Sequence, residues 1–272
     1  MSEYSSLAEF KERAGYEIDG VWYPRVTSIL AIKAKPALYR YYASMPSFRA
    51  ADEAKDRSAV EGTLVHSMVE ALLRDEHPTI DETIRPSVDA FLEFRRNNDV
   101  VPLKIEERII SRSHHYAGTI DVMARVNGVV GVLDIKTSKA IYRDYGMQTA
   151  AYIAALREDP VPHPQTSWIL RLDQCQTCQL CGATMRNKGG NTKVSGGMYR
   201  CGHQWGHMEG IFDFQEVPHY EHNLAAFWPP SSSGNGNTIP IWRSFVNDSW
   251  PPGYTLLPGQ WTGNPSRFCW YL

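Results

Sequence analysis

The Asn127-Gly128 pair constrains the fold of this chain more than any other feature of the sequence. Asn-Gly is the preferred two-residue turn of a β-hairpin, because both residues adopt positive φ angles at little cost. Thr119 to Arg125, before the turn, has strand character, and Val129 to Ile135, after it, is almost wholly apolar, as expected of a central strand. We therefore predict an antiparallel hairpin within a β-sheet.

The segments around this hairpin predict an α/β protein. The sequence pattern predicts helices over Ser58 to Leu73, Ser87 to Phe94, Gln148 to Arg157 and Tyr220 to Phe227. It predicts strands over Lys104 to Ser111, Ser167 to Leu172 and Gly210 to Val217. Helices and strands in this order favour a core with a central mixed β-sheet flanked by helices.

We divide the chain into four parts. Residues 1–172 hold an N-terminal region and the core, 173–209 form an insertion, 210–228 return to the core, and 229–272 form a Pro- and Gly-rich tail. The tail begins as a linker by composition, but with Trp228 it carries five of the eight tryptophans, which is too aromatic for ordinary disorder. We expect it to pack on the core or on a partner protein.

Composition limits the classes of protein to which this chain can belong. A hydrophobic content of 43% excludes global disorder, and the net charge of −2 means that nucleic-acid binding would need locally concentrated positive charge or a bound metal. Five cysteines, an odd number, argue against a simple secreted disulfide scaffold. Neither a signal peptide nor an apolar run of ~20 residues is visible, so we expect a soluble, cytoplasmic protein.

Positive charge is concentrated near the N-terminus. Residues 21–51 contain five basic residues, six aromatic residues and no acidic one. Basic and aromatic residues interleaved in this way are typical of a surface that binds phosphates and stacks on bases. We predict that Lys33, Lys35 and Arg40 contact DNA, and the alternative is a helix with a buried aromatic face and solvated charges.

Two carboxylates and a lysine are predicted to meet on the hairpin. Asp121 lies in the strand before the Asn-Gly turn, and Asp134 and Lys136 lie in the strand after it, two residues apart and therefore on one face. Carboxylates suit Mg²⁺, which prefers oxygen ligands, and a lysine can orient an attacking water and offset developing charge. The alternative is an ordinary surface hairpin with a salt bridge.

Two predicted helices carry side chains that extend this pattern. His66 and Glu70 are four residues apart, as are Gln148 and Tyr152, so each pair shares a helix face. With two glycines, these residues form four ordered motifs: Gly62/His66, Gly118/Asp121, Asp134/Lys136 and Gln148/Tyr152. This order resembles the PD-(D/E)XK nuclease superfamily, in its RecB-type exonuclease branch. Residues 24–30 are also similar to the start of phage and mitochondrial genome maintenance exonucleases of that branch, and the resemblance covers residues 20–172 and 211–227.

The resemblance implies a restriction-endonuclease-like core and a metal-dependent DNA nuclease, an exonuclease acting in DNA processing, recombination or repair. It assigns the catalytic Mg²⁺ or Mn²⁺ to His66, Asp121, Asp134 and the main-chain carbonyl of Ile135. The remaining assignments follow from the same resemblance: Lys136 positions the attacking water, Gln148 and Tyr152 order the site and touch DNA, Glu70 supports a ligand or a second metal, and Thr137 and Ser138 contact phosphate.

The insertion carries four of the five cysteines. Cys178 and Cys181 are spaced as in a zinc knuckle, and Cys201 with His203 resembles the opposite knuckle of a zinc ribbon, so we predict one structural Zn²⁺ on these four residues. Cys175 or His207 could substitute for one of them. The insertion is too small and polar to fold on an apolar core, so the metal would supply its stability. Lys188 and Lys193, on the loop between the knuckles, could reach DNA or a partner.

Three alternatives remain open from the sequence. Some RecB-type nucleases hold an iron–sulfur cluster on four cysteines, but they place one cysteine before the nuclease core, and here none precedes Cys175. The cysteines could also be incidental members of a flexible loop. The chain as a whole could be a catalytically weak DNA-binding module of a recombination or defence complex, or a nuclease that processes RNA or its cap.

Overall fold

The fold is described by a computed structural model that covers residues 6–33, 35–160 and 162–228. The helices are α1 Leu7–Ala14, α2 Val26–Ala31, α3 Pro36–Ala43, α4 Phe48–Leu73, α5 Arg85–Asn97, α6 Arg143–Leu156 and α7 Tyr220–Phe227. The strands are β1 Gly15–Ile18, β2 Val21–Pro24, β3 Val100–Ser111, β4 Tyr116–Val126, β5 Val129–Lys136, β6 Thr166–Cys178, β7 Thr184–Lys188, β8 Asn191–Ser195 and β9 Trp205–Glu216. The predicted linker and aromatic tail at 229–272 lie outside the described residues.

The predicted central hairpin is confirmed. Asn127 and Gly128 have φ angles of 49° and 87°, the positive pair that a type I′ turn requires. Strands β4 and β5 pair antiparallel from Val126–Val129 to Val122–Leu133. Residues 131–135 of β5 are all buried, so this apolar run is a central strand with both faces covered.

The sheet is mixed, as predicted. In the described part of the chain it has seven strands, with β3, β4, β5, β6, β7 and β8 in that spatial order and β9 paired to β6. Among the strands that the structure describes in this sheet, only β5 and β6 pair in parallel, and the crossover between them contains α6. Because a parallel crossover returns over one face of the sheet, α6 packs directly against the hairpin strands.

Helices cover both faces of the sheet and enclose two apolar clusters. On one face α4 and α5 bury Val69 and Phe91 against Leu133 of β5 and its neighbours. On the other face α2, α6 and α7 pack over Val132. Adjacent β5 residues therefore face opposite layers, and Asp134 points to the same side as Val132, toward α6. No helix in the described ranges is both long enough and apolar enough to cross a membrane.

Several elements are longer than the sequence pattern predicts. Helix α4 begins at Phe48 rather than Ser58, because Ser47 accepts a hydrogen bond from the Ala50 backbone at 3.1 Å and caps the helix ten residues earlier. Strand β6 continues beyond Leu172 to Cys178, because β9 pairs with it along this whole extension. Residues 173–209 thus begin and end as strands of the main sheet, with the β7–β8 hairpin between them.

Candidate active site and metal centres

The two predicted carboxylates and the lysine meet at the carboxyl end of β5. Asp121 and Asp134 lie one residue beyond the Val122–Leu133 pair, each on its own strand. Asp121 Oδ2 accepts a hydrogen bond of 2.7 Å from the Ile135 amide, and Lys136 Nζ lies 2.5 Å from Asp134 Oδ2. The register of the hairpin therefore creates this constellation, as the sequence predicts.

Burial controls the electrostatics of this group. Asp134 is only 1% exposed, and burial raises the pKa of both Asp134 and Asp121, although Lys136 opposes the shift. Burial alone would lower the pKa of Lys136, but the two carboxylates outweigh it and raise that pKa above its ordinary value. Asp134 Oδ2 is buried and has Lys136 Nζ as its ion-pair partner. A buried carboxylate oxygen that already binds one cationic group is also a suitable ligand for a divalent cation.

His66 reaches this group from α4. Its Nδ1 lies 3.7 Å from Asp121 Oδ1. Burial, with Lys136 adding to it, lowers the pKa of His66 to about 4, so the imidazole is neutral at physiological pH. A neutral imidazole has a lone pair available to a metal, so His66 is correctly protonated for the role that the family resemblance implies.

Glu106, on β3, belongs to the same group and is not among the residues that the sequence predicts. His66, Glu106 and Asp121 each offer one potential ligand atom, and these three atoms lie within 4.8 Å of one another. The pairs Ile105–Val122 and Glu107–Ile120 place Glu106 opposite Asp121, and its φ of 49° is unusual for a residue with a side chain. Burial, with Asp121 and Glu70 adding to it, raises the pKa of Glu106 to about 7. From the sequence, only the pairing register of β3 with β4, counted from the turn that joins them, could have indicated that Glu106 lies opposite Asp121.

Helix α6 supports the carboxylates from the other side. Gln148 Nε2 donates to Asp134 Oδ1 at 3.3 Å and to the Tyr152 hydroxyl at 2.9 Å, so the two predicted side chains act together. Tyr152 is 3% exposed, which suits a positioning role, and its contact with DNA stays a prediction.

The two motif glycines allow close approach of neighbouring elements. A Cβ atom at Gly118 would lie 2.6 Å from Tyr152 Cε1, and one at Gly62 would lie 2.8 Å from Thr137 Oγ1. Contacts this short do not occur, so a side chain at either position would displace α6 or α4 from the site. The Gly-x-x-x-His and Gly-x-x-Asp spacings therefore have a steric reason.

The group opens into a groove along α4. One cavity of about 470 Å³ is lined by His66, Glu70 and Glu106 among others, and a second of about 370 Å³ is lined by Lys136 and Ser138. Ser58, Ala59, His66 and Thr137 line both, so the cavities adjoin. Thr137 lines both cavities and Ser138 the second, and the phosphate contact that the resemblance assigns to them stays a prediction.

The predicted DNA contacts near the N-terminus do not line this groove. Lys33 Nζ donates to the Ala226 carbonyl of α7 at 2.7 Å, and Lys35 Nζ lies 3.5 Å from Asp144 of α6. Arg40 is on the exposed surface of α3. None of these three lines either cavity of the described structure. Their role in DNA binding stays a prediction.

Cys178, Cys181, Cys201 and His203 form a second candidate metal centre, as predicted. Their ligand atoms also lie within 4.8 Å of one another, with Cys178 Sγ 4.0 Å from Cys201 Sγ and Cys181 Sγ 3.4 Å from His203 Nδ1. Zinc–sulfur bonds of ~2.3 Å in a tetrahedron give sulfur separations of ~3.8 Å, so the group is compatible with structural zinc.

The backbone around this centre favours the thiolate form of Cys178 and Cys181, whereas burial and the two neighbouring cysteines raise the pKa of Cys201 to about 11. Gly182 has a φ of 69°, and its amide donates to the Cys178 carbonyl at 2.9 Å, which folds the chain beneath the sulfurs. Although burial opposes the shift, hydrogen bonds from the Leu180 amide and His203 lower the pKa of Cys178 to about 6. Thiolates are the form that binds a metal.

The two predicted substitute ligands lie outside this group. Cys175 is buried within β6, and His207 Nε2 lies 3.1 Å from Glu209. The Cys₃His set is therefore the ligand group that the fold assembles.

No known protein-family profile matches this chain, and no curated protein matches it with significant similarity.

Proposed function

We propose that this chain is a metal-dependent DNA nuclease of the RecB-type branch of the PD-(D/E)XK superfamily, with a restriction-endonuclease-like core. One observation carries the proposal. The buried carboxylate of Asp134 and the half-buried carboxylate of Asp121 lie on paired strands and share a site with Lys136, whose Nζ lies 2.5 Å from Asp134 Oδ2. A carboxylate pair with a nearby lysine is suited to hydrolysis of a phosphodiester, in which negative charge develops beside a nucleophilic water.

The residues present fit a divalent cation of the Mg²⁺ or Mn²⁺ type. His66, Asp121 and Glu106 lie close enough together to hold it, and the resemblance adds Asp134 and the carbonyl of Ile135. Such a cation supplies a lowered water pKa and stabilises charge on the phosphate.

The chain's own groups prepare the site for this chemistry. Lys136 Nζ is held as a cation by Asp134 and Asp121, so it can orient a water and offset charge at the phosphate. Gln148 fixes the rotamer of Asp134 through its amide.

End-labelled DNA tests the proposal directly. End-labelled single-stranded DNA, duplex DNA and RNA, and internally labelled closed circular single-stranded DNA, are incubated with Mg²⁺ or Mn²⁺, and with a chelator as control. We expect cleavage of linear DNA only with the metal, and resistance of the circle because an exonuclease needs an end. Metal-independent DNA binding without cleavage would instead favour the DNA-binding module, and preferential cleavage of RNA would favour the RNA-processing alternative.

His66 is expected to control metal preference. Manganese tolerates nitrogen ligands better than magnesium does, so Mn²⁺ should support cleavage at least as well as Mg²⁺. His66→Ala should reduce the rate by ~10²-fold or more, because the site loses one ligand. Steady-state cleavage across a titration of each metal measures both effects. A His66→Ala enzyme with wild-type rate and metal dependence would contradict the assignment.

The basic N-terminal stretch is expected to add non-specific affinity for DNA. Replacing Lys33, Lys35 and Arg40 with alanine should weaken binding equally across DNA sequences. It should also reduce the log–log salt slope by about one unit for each phosphate that is no longer neutralised. Binding isotherms at several salt concentrations measure this slope. An unchanged slope would support the alternative of a solvated helix face.

A structural zinc on the Cys₃His group is the second part of the proposal. Its ligands are thiolates and an imidazole, which select zinc, whereas the groove offers mainly carboxylate oxygen. The iron–sulfur cluster stays the alternative, and metal analysis distinguishes the two.

A further inference from the structure

The β7–β8 hairpin leaves the Cys₃His centre and returns to the catalytic groove. Strand β5 stops at Lys136, which pairs with Arg171, whereas β6 continues to Cys178. Along this extension β9 occupies one edge of β6, and β7 pairs at Gln176 and Thr177. Because a strand has two edges, β7 takes the edge that β5 leaves free, beyond the catalytic lysine.

Direct contacts fix the hairpin against the groove. Arg186 Nη2 donates to the Thr137 carbonyl at 3.0 Å, and Lys188 Nζ donates to the same oxygen. These two side chains therefore reach the residue that follows Lys136. The hairpin forms a wall of the cavity that His66 also lines, and the segment between the two knuckles is not a free loop.

The tip of the hairpin is bound to α4. The Gly189 amide donates to Glu61 Oε1 at 2.8 Å, and the Gly189 carbonyl accepts from Arg57 Nε at 2.9 Å. Gly189 has a φ of 60°, and a Cβ there would collide with the Ala54 carbonyl. The close packing and the backbone angle both require glycine at the tip.

This wall makes one half of the groove strongly basic. The 370 Å³ cavity is lined by five cations and by no described acidic residue: Lys55, Lys136, Lys139, Arg186 and Lys188. Three of them have a carboxylate partner within 3 Å, namely Asp52, Asp134 and Asp173.

The other two cations, Lys139 and Lys188, form no ion pair with a described carboxylate, although Asp173 and Glu61 act on Lys188 from farther away. Burial, with Arg186 adding to it, lowers the pKa of Lys188 to about 8. Burial lowers the pKa of Lys139 as well, with Lys193 and Arg186 contributing. The surroundings destabilise the charged form of both lysines. A bound anion would stabilise that charged form.

The adjoining cavity carries the opposite charge. Glu70 and Glu106 line it, and His66 lies at the boundary between the two halves. An anionic strand lying along α4 would place one phosphate at the carboxylate site, where a cation neutralises the repulsion, and a neighbouring phosphate on the basic side.

We propose that the β7–β8 hairpin, held in place by the Cys₃His centre, forms a phosphate-binding wall of the groove, in which Lys139 and Lys188 bind a backbone phosphate of a nucleic-acid strand beside the reacting one. This inference deepens the proposed nuclease function and rests on it. It assigns the insertion to substrate binding as well as to stability.

The test measures binding without cleavage. The affinity of the zinc-loaded full chain for a fluorescent single-stranded oligonucleotide is measured by anisotropy, with a chelator too weak to remove zinc, at several salt concentrations. Lys139→Ala with Lys188→Ala should weaken binding about tenfold or more. Because one phosphate of a single strand is then no longer neutralised, the salt slope should also fall by about 0.7 units.

A matched control removes two charges elsewhere. Arg96 and Arg125 are exposed near the Asn127-Gly128 turn, at the opposite end of the hairpin strands. Replacing both with alanine should leave affinity and slope near the wild-type values. If the lysine pair and the arginine pair behave alike, the proposal is overturned.

Two further measurements separate this site from a folding defect and from the nuclease proposal. Lys188→Arg keeps the charge and should retain most of the affinity, and zinc content should be unchanged in all variants. Inorganic phosphate is also tested as a competitor of the oligonucleotide. If the variant with Lys139→Ala and Lys188→Ala keeps its oligonucleotide affinity and only its response to phosphate is lost, the assignment to a nucleic-acid strand is overturned. A protein that binds DNA through these lysines but cleaves nothing would contradict the nuclease function and leave the phosphate site standing.

Discussion

Asp134→Ala and Lys136→Ala are each expected to reduce nuclease activity by ~10³-fold or more. The first substitution removes a buried oxygen suited to bind a cation, and the second removes the charge that orients the water. Single-turnover cleavage of end-labelled DNA with Mg²⁺ measures the effect. Metal-independent DNA binding should largely survive, because neither residue is needed for contacts outside the site. Cleavage near the wild-type rate by either variant would remove the basis of the site assignment.

Stability must be controlled in this experiment, because the two residues form a buried pair. Removing one charge leaves the other uncompensated, which commonly costs ~3–5 kcal/mol. The double variant Asp134→Asn with Lys136→Met removes both charges at similar volume, so it should recover stability and remain inactive. Ser167→Ala is the control for loss of stability without loss of activity. It breaks a buried 3.0 Å hydrogen bond to Thr149, so it should lower the free energy of unfolding by ~1 kcal/mol without affecting cleavage.

Cys178→Ser with Cys181→Ser is expected to release one zinc per chain and to unfold the β7–β8 hairpin. Structural zinc sites in small modules contribute ~10 kcal/mol or more of binding free energy, and this hairpin has little apolar packing of its own. Elemental analysis gives the stoichiometry, and thermal unfolding gives the loss of stability. The variant should also lose oligonucleotide affinity, because the hairpin carries Lys188 to the groove.

Cys175→Ser is the matched control for the zinc experiment. It makes the same substitution at a buried cysteine of β6 that lies outside the Cys₃His group, so zinc should remain bound. Iron with a brown chromophore in the wild-type protein would favour the cluster alternative. Purified protein with no metal would contradict both assignments and leave the cysteines as incidental.

Features that depend on neighbours along the chain can be predicted from the sequence alone. The Asn127-Gly128 turn sets the register of β4 and β5, and that register brings Asp121 to Asp134 and Lys136. The two short knuckles, at Cys178–Cys181 and Cys201–His203, likewise have spacings that indicate their geometry directly. In each case a local turn decides the outcome, and local turns are encoded by a few adjacent residues.

Long-range packing selects the distant residues that join these local units. Glu106 reaches the metal group because β3 pairs beside β4 and its backbone adopts a positive φ at that point. Lys188 faces the groove because β7 takes the edge of β6 that β5 vacates, whereas Lys33 bonds to α7 instead. Strand order and the docking of a hairpin on α4 depend on tertiary contacts and loop closure, which no short sequence window contains.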